Sequence, residues 1–94
     1  MDSASVLKIF QEITCIPRES GHEKKMTEFL QEFAAKHNLP CQTDKTGNVV
    51  ISKPASKGKE NVPTLVLQAH QDMFCEKLAD FDFDFHTQPI PYEI

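Results

Sequence analysis

The apolar run Leu65-Val66-Leu67 constrains the fold of this chain more than any other stretch. Its residues do not alternate with polar ones, so a strand formed by them needs an apolar cover on both faces, as a central strand of an α/β sheet has. A His and an Asp follow the run closely. We therefore predict a buried central strand over residues 64–69, whose C-terminal end presents polar side chains.

Two amphipathic helices precede this strand in the sequence. Apolar side chains three and four positions apart predict the first helix over residues 4–14, with Ser3 or Ser5 as its cap. The stretch from Ser20 to Glu23 has the pattern of a capping box, in which a Ser and a Glu three positions later satisfy free backbone N–H groups. This pattern predicts the start of the second helix.

A hairpin follows the second helix. Asn38 is the predicted left-handed stop of that helix. Residues 41–44 and 49–52 are predicted strands, joined by a turn in which Gly47 supplies a positive φ. The predicted fold class is therefore α/β, with two N-terminal helices packed on a mixed β-sheet that consists of the hairpin and the buried central strand.

The composition describes one small globular domain without a nucleic-acid or membrane partner. The 94 residues carry a formal net charge of −4, and Lys and Arg form no basic face. No apolar run approaches the ~18 residues of a membrane span, and the N-terminus lacks the basic and apolar parts of a secretory signal. Cys15, Cys41 and Cys75 are an odd, widely spaced set that favours reduced thiols. The predicted location is therefore the cytoplasm.

His70 and Asp72 are the strongest candidates for chemistry. Residues two apart in an extended segment point the same way, with Cα atoms about 6–7 Å apart. Imidazole is a good zinc ligand, and a carboxylate that accepts the second ring N–H fixes its tautomer and raises its basicity. Sites in open α/β sheets form at the C-terminal ends of strands. This pair therefore predicts a metal ligand with its acidic partner.

His70 alone does not make a catalytic zinc site, which needs about three protein ligands and a water. Cys75, Glu76 and His86 are further donors, but none has a recognised ligand spacing with His70. Cys75 and His86 are also a candidate nucleophile pair. Because nothing local activates the thiol, a structural cysteine is the simpler interpretation.

Residues 80–85 alternate between Asp and Phe, which predicts an edge segment with three Phe on one side and three Asp on the other. An EF-hand calcium loop is excluded here. Phe85 stands where the loop needs Gly, and Pro91 stands where it needs the bidentate Glu.

The stretch from Leu67 to Lys77, LQAHQDMFCEK, closely resembles the LQGHxDMVCEK segment of aminoacyl-histidine dipeptidases, the Xaa-His dipeptidase branch of the M20 zinc peptidases. Ala69 replaces the usual Gly, Phe74 replaces the usual Val, and Phe83 stands where a His is common. The resemblance extends over almost the whole chain, in order, through segments within residues 10–21, 29–34, 44–51, 54–58 and 84–90.

This resemblance implies that residues 1–94 form the N-terminal part of a zinc-peptidase catalytic domain, without the family's lid and dimerisation domain. It implies that His70 binds one of two zinc ions and that Asp72 is the acidic catalytic partner that orients it. The implied activity is hydrolysis of small Xaa-His dipeptides. The family's bridging Asp, its Glu-Glu pair with the general base, and its distal ligands match no motif among these 94 residues, so we expect the isolated chain to be inactive.

Two other interpretations stay open at the level of the sequence. The chain is a non-catalytic paralogue that binds a partner, or itself, through an uncovered sheet edge. Alternatively, it is the product of a prematurely terminated reading frame.

Overall fold

The computed structural model describes residues 2–91 and contains two helices and one hairpin. These elements are α1 (Ser3–Thr14), α2 (Lys24–Lys36), β1 (Cys41–Thr43) and β2 (Val49–Ile51). Helix α2 packs against both strands. The predicted α/β class, with two helices and a small antiparallel sheet, is confirmed. No helix among the described residues has the length and apolar character that crossing a membrane requires.

Helix α1 begins one residue earlier than predicted and uses a different cap. The Ser5 N–H donates to Asp2 Oδ1 at 2.8 Å, because the extended backbone of Asp2 brings its carboxylate to the first turn. The prediction of Ser3 or Ser5 as the cap was therefore wrong. At the other end, the Arg18 guanidinium donates to the Ile13 carbonyl oxygen at 2.7 Å, so a cation satisfies one of the free carbonyls of the last turn.

Helix α2 begins without the predicted capping box. Glu23 precedes the first helical residue, and its side chain reaches back to the Gly21 N–H at 2.8 Å. Ser20 lies too far before the helix to cap it, and its hydroxyl turns to Asp72 instead. The end of the helix is as predicted, because Asn38 has a φ of 56° and the chain turns sharply there.

The hairpin pairs β1 and β2 in antiparallel register, with Gln42 opposite Val50. Asp44 organises its turn. Its Oδ1 accepts the backbone N–H groups of Thr46, Gly47 and Asn48 at 2.9–3.0 Å, and its Oδ2 accepts the Asn48 side-chain amide at 2.8 Å. Gly47 has a φ of 97°, as predicted for this turn. The Asn48 and other turn donors hold the pKa of the Asp44 carboxyl below its usual value.

The predicted buried central strand over residues 64–69 is not formed, and the sheet is therefore not mixed. Leu65, Val66 and Leu67 are 81%, 79% and 87% exposed. A strand exists only through hydrogen bonds to a neighbour, and no strand within residues 2–91 pairs with this stretch. The side chains of the apolar run have no cover among the described residues.

The core is correspondingly small. Met26 and Ala34 of α2 are the buried apolar residues within the described range, while Val6 and Phe10 of α1 remain about half exposed. The three Phe side chains of residues 80–85 do line up as predicted: the Phe81 and Phe83 ring centroids are 6.0 Å apart, and those of Phe83 and Phe85 are 4.8 Å apart. No strand forms there either.

Candidate functional site

His70 and Asp72 lie together, as their spacing predicts. His70 Nδ1 is 2.9 Å from Asp72 Oδ1 and 2.8 Å from the Asp72 backbone carbonyl oxygen. A carbonyl oxygen only accepts hydrogen bonds, so Nδ1 carries the ring proton when both contacts are made. In the neutral ring the lone pair is then on Nε2. The imidazole side chain is 80% exposed, so its outer nitrogen is accessible from solvent.

Asp72 is held from two sides. One carboxylate oxygen, Oδ1, accepts from His70, and the other, Oδ2, accepts from the Ser20 hydroxyl at 2.6 Å. These donors, Ser20 first and His70 second, hold the pKa of the Asp72 carboxyl below its usual value. The carboxylate is therefore ionised at neutral pH and is the charged partner of the imidazole.

Backbone hydrogen bonds join the segment that carries Asp72 to the loop before α2. The Met73 N–H donates to the Arg18 carbonyl oxygen at 2.8 Å, and the Ser20 N–H donates to the Met73 carbonyl oxygen at 3.0 Å. These two bonds form a single parallel bridge between Glu19 and Met73. Although residues 64–69 form no strand, the site residues just after them are thus fixed to the rest of the chain.

Gln71 faces the other way from its two neighbours and attaches the segment to the hairpin and to α2. Its Nε2 donates to the Gly47 carbonyl oxygen at 2.6 Å. The Thr27 hydroxyl lies 3.2 Å from the same carbonyl oxygen and 3.3 Å from Gln71 Oε1. Side chains alternate in direction along an extended segment. Gln71 therefore points toward the hairpin and α2, while His70 and Asp72 point away from them.

An open groove of about 1000 Å³ lies beside His70 and Asp72. Its walls are the start of α2, the hairpin turn around Gly47 and residues 68–72. Lys24 and Asp44 add charges of both signs to its lining. The groove is large enough for a small polar ligand to lie within reach of the His70 ring.

The donor chemistry at His70 suits a metal ion, but it supplies only part of a site. A neutral imidazole with its second nitrogen bonded to a carboxylate is the usual form of a zinc-binding histidine. Within residues 2–91, however, no three His, Cys, Asp or Glu side chains come together in a way that would hold a metal ion. His70 and its carboxylate partner therefore make up only part of a metal site within residues 2–91.

The candidate pair of Cys75 and His86 is not assembled. His86 Nε2 lies 2.6 Å from Glu19 Oε2, and its ring packs on His22 with a centroid distance of 4.6 Å. The Cys75 thiol is directed to the Met73 carbonyl oxygen at 3.6 Å. Partial burial and the nearby Glu19 carboxylate raise the pKa of the Cys75 thiol, which disfavours the reactive thiolate.

Ser20 is the site residue that the sequence did not reveal. It is 52 residues from Asp72 along the chain. Because it stands three residues before Glu23, the sequence pattern predicted a helix cap instead. The sequence offered one signal against the capping role. If Ser20 capped α2, the helix would begin at Gly21, whereas a glycine at this position favours a turn.

Comparison with known proteins identifies two relatives of this chain. No family model matches the chain. The chain is 41% identical over 85 residues to the cytosol non-specific dipeptidase of Escherichia coli (strain K12), a match that covers 89% of this chain and 18% of the relative. The crystal structure of aminoacylhistidine dipeptidase from Vibrio alginolyticus superposes on all of this chain with a TM-score of 0.93 and 38% identity.

The chain spans about a fifth of the length of both relatives, 18% of one and 19% of the other. Within that span the chain is similar to one relative in sequence and to the other in sequence and in the path of the backbone. The chain is therefore homologous to the N-terminal part of these dipeptidases, which confirms its resemblance to the aminoacyl-histidine dipeptidases.

Proposed function

We propose that this chain provides the first metal ligand and its acidic partner to a dipeptidase active site, and that the reaction is hydrolysis of a dipeptide. The observation that carries the proposal is the contact of His70 Nδ1 with Asp72, which leaves Nε2 as the nitrogen with the free lone pair. Homology to two dipeptidases supports the reaction class.

In this proposal, His70 Nε2 binds one of two zinc ions. When bound, the metal ions polarise the scissile carbonyl and lower the pKa of a water molecule. Asp72 keeps the His70 proton on Nδ1. Its negative charge also raises the basicity of Nε2 as a metal ligand. Gln71 fixes the extended segment to the hairpin, so that the imidazole stays at the edge of the groove.

The substrate is proposed to be a small dipeptide that enters the groove beside His70. One relative is named for aminoacyl-histidine substrates and the other for non-specific cleavage, so Xaa-His dipeptides are the narrower part of the proposal. The location is proposed to be the cytosol, which the name of the Escherichia coli relative gives for that protein.

Residues 1–94 are proposed to be the first part of a catalytic domain. His70 and Asp72 are too few to complete a two-metal site, and among the described residues no further His, Cys, Asp or Glu joins them to form a metal-binding group. We therefore expect the 94-residue chain by itself to hydrolyse no dipeptide, because two-metal hydrolysis needs more metal ligands than these two residues provide.

A segment exchange tests the proposal. In what we call the exchange chimera, this chain replaces the matching segment of the Escherichia coli dipeptidase, to which it is 41% identical. We expect the exchange chimera to hydrolyse dipeptides and to lose that activity with His70→Ala. The matched control is His37→Ala, which removes an exposed histidine at the far end of α2. An exchange chimera that folds but is inactive, or one that keeps full activity with His70→Ala, would contradict the proposal.

One observation favours a second candidate function. The side chains of Leu65, Val66 and Leu67 are largely exposed, and no strand among the described residues pairs with this stretch, so it could pair with a strand of another polypeptide. In this alternative, the chain binds a partner or a second copy of itself without catalysis. Leu67→Lys should then abolish association measured by analytical ultracentrifugation, and a wild-type chain that is monomeric at every concentration would exclude self-association.

A further inference from the structure

The loop before α2 and the segment after the apolar run meet through the side chains of Ser20 and Asp72. The Ser20 hydroxyl donates to Asp72 Oδ2, and the opposite carboxylate oxygen accepts from the His70 ring. Three side chains from two distant parts of the sequence thus form a chain of hydrogen bonds that ends at the proposed metal ligand.

The distances favour the carboxylate as the acceptor of the Ser20 proton. A hydroxyl has one proton to donate, and Asp72 Oδ2 is 2.6 Å away, whereas the Met73 carbonyl oxygen is 3.3 Å away. A separation of 2.6 Å is typical of a charge-assisted O–H···O⁻ bond, which is about twice as strong as a neutral one. The Ser20 hydroxyl therefore donates its hydrogen bond to Asp72 Oδ2 and not to the Met73 carbonyl oxygen.

The position of Ser20 is itself fixed by the backbone. The Ser20 N–H donates to the Met73 carbonyl oxygen at 3.0 Å, next to the residue whose side chain the hydroxyl contacts. The terminal torsion angles of Asp and His side chains are soft and have broad energy minima. A carboxylate whose only hydrogen bond is to an imidazole can rotate. A carboxylate that is hydrogen-bonded at both oxygens keeps its plane, and the imidazole bonded to it keeps its direction.

We propose that Ser20 is a positioning residue for the metal ligand His70 and that it acts through the Asp72 carboxylate. This inference rests on the proposed function for its metal, but the geometry it describes belongs to the chain alone. The Ser20 hydroxyl acts on the carboxylate and not on the imidazole directly: it sets the plane of the carboxylate, which in turn sets the direction of Nε2.

The first test measures the order of the His70 ring by carbon-13 relaxation in the full 94-residue chain. Ser20→Ala should lower the ring order parameter, while the backbone amides of residues 20 and 73, which form the bridge, keep their protection from hydrogen exchange. Ser20→Thr retains the hydroxyl and should restore the order. Ser56→Ala is the matched control, because Ser56 lies in a surface loop where its backbone carbonyl, not its hydroxyl, makes the hydrogen bond.

The second test measures zinc affinity in the exchange chimera by competition with a chelator. Ser20→Ala should weaken zinc binding by up to about tenfold, the lower end of the range for groups that orient a ligand without touching the metal. Ser20→Thr should bind zinc as the parent does. The proposal is overturned if Ser20→Ala leaves the ring order unchanged or leaves zinc affinity unchanged, or if Ser20→Thr loses as much as Ser20→Ala.

The two tests also separate this inference from the proposed function. An exchange chimera that is inactive with the unaltered chain refutes the dipeptidase proposal, while ring order in the 94-residue chain still decides the role of Ser20. An active exchange chimera whose His70 ring is indifferent to Ser20→Ala refutes the positioning role alone.

Discussion

The Asp72→Asn substitution in the exchange chimera tests how much of the ligand's strength comes from the carboxylate charge. Asn has the same shape as Asp but no charge, and the backbone carbonyl of residue 72 remains. That carbonyl oxygen lies 2.8 Å from His70 Nδ1 and keeps the proton on Nδ1 after the substitution. The variant therefore loses the charge of the partner and retains the tautomer of the ligand.

The structure thereby bounds the expected effect. Removal of groups that orient a metal ligand typically lowers metal affinity 10–100-fold. Because the backbone contact survives, we expect Asp72→Asn to weaken zinc binding about tenfold, at the lower end of that range. Asp72→Ala should weaken it further, since Ser20 and His70 then lose the group that joins them.

The assay is a zinc competition titration with a chromogenic chelator, performed on the parent exchange chimera and on each variant. Asp82→Asn is the matched control, because it removes the same charge from an exposed position in the Asp-Phe repeat. The reasoning is refuted if Asp72→Asn binds zinc as tightly as the parent, or if Asp82→Asn weakens zinc binding by the same factor.

Three further predictions concern the elements that support the site. Gln71→Ala removes hydrogen bonds to the hairpin and to α2, and should lower the free energy of unfolding in urea by about 1 kcal/mol, whereas Gln42→Ala on the exposed face of β1 should lower it less. Ala34→Leu places a larger side chain at a fully buried position and should cost about 1–3 kcal/mol, whereas Ala35→Leu on the exposed side of α2 should be nearly neutral; equal thermal midpoints would contradict this. The folded pKa of Asp44 is depressed, so its contribution to hairpin stability is present above the unfolded pKa and is lost as the pH falls through the folded value. The hairpin amide signals should therefore shift in acid below about pH 4 in the parent, and Asp44→Ala should remove that transition.

Local sequence signals predicted the local structure well. Apolar periodicity indicated both helices, and the left-handed residues Asn38 and Gly47 lie where turn chemistry put them. Each of these features depends on residues a few positions apart, so the pattern in the sequence contains the interaction that forms it. The same is true of the His70 and Asp72 contact, which requires only an extended backbone.

One feature that the sequence did not reveal depends on a distant partner. Ser20 matched a capping box, but its hydroxyl bonds a carboxylate that is 52 residues away, and no local pattern records that contact. Asp2 caps α1 in place of Ser3 or Ser5, because its longer side chain and extended backbone reach the first turn.

The apolar run Leu65-Val66-Leu67 also shows that a local sequence pattern does not identify distant partners. Its composition predicted burial, but burial requires covering elements, and the residues described here contain none that reach it. Hydrophobicity indicates that a segment is suited to a core without indicating which polypeptide segment completes that core. The run retains the signature of a central strand while lying exposed.

The most direct test of the central claim is a cadmium-113 experiment on the exchange chimera labelled with nitrogen-15 histidine. Cadmium replaces zinc, and scalar coupling between the metal and a ring nitrogen identifies the ligand atom. The Nδ1 contact with Asp72 predicts a one-bond coupling from cadmium to Nε2 of His70 and none to Nδ1. Coupling through Nδ1, or no coupling to His70 in a metal-loaded chimera, would contradict the assignment of His70 as the ligand that Asp72 orients.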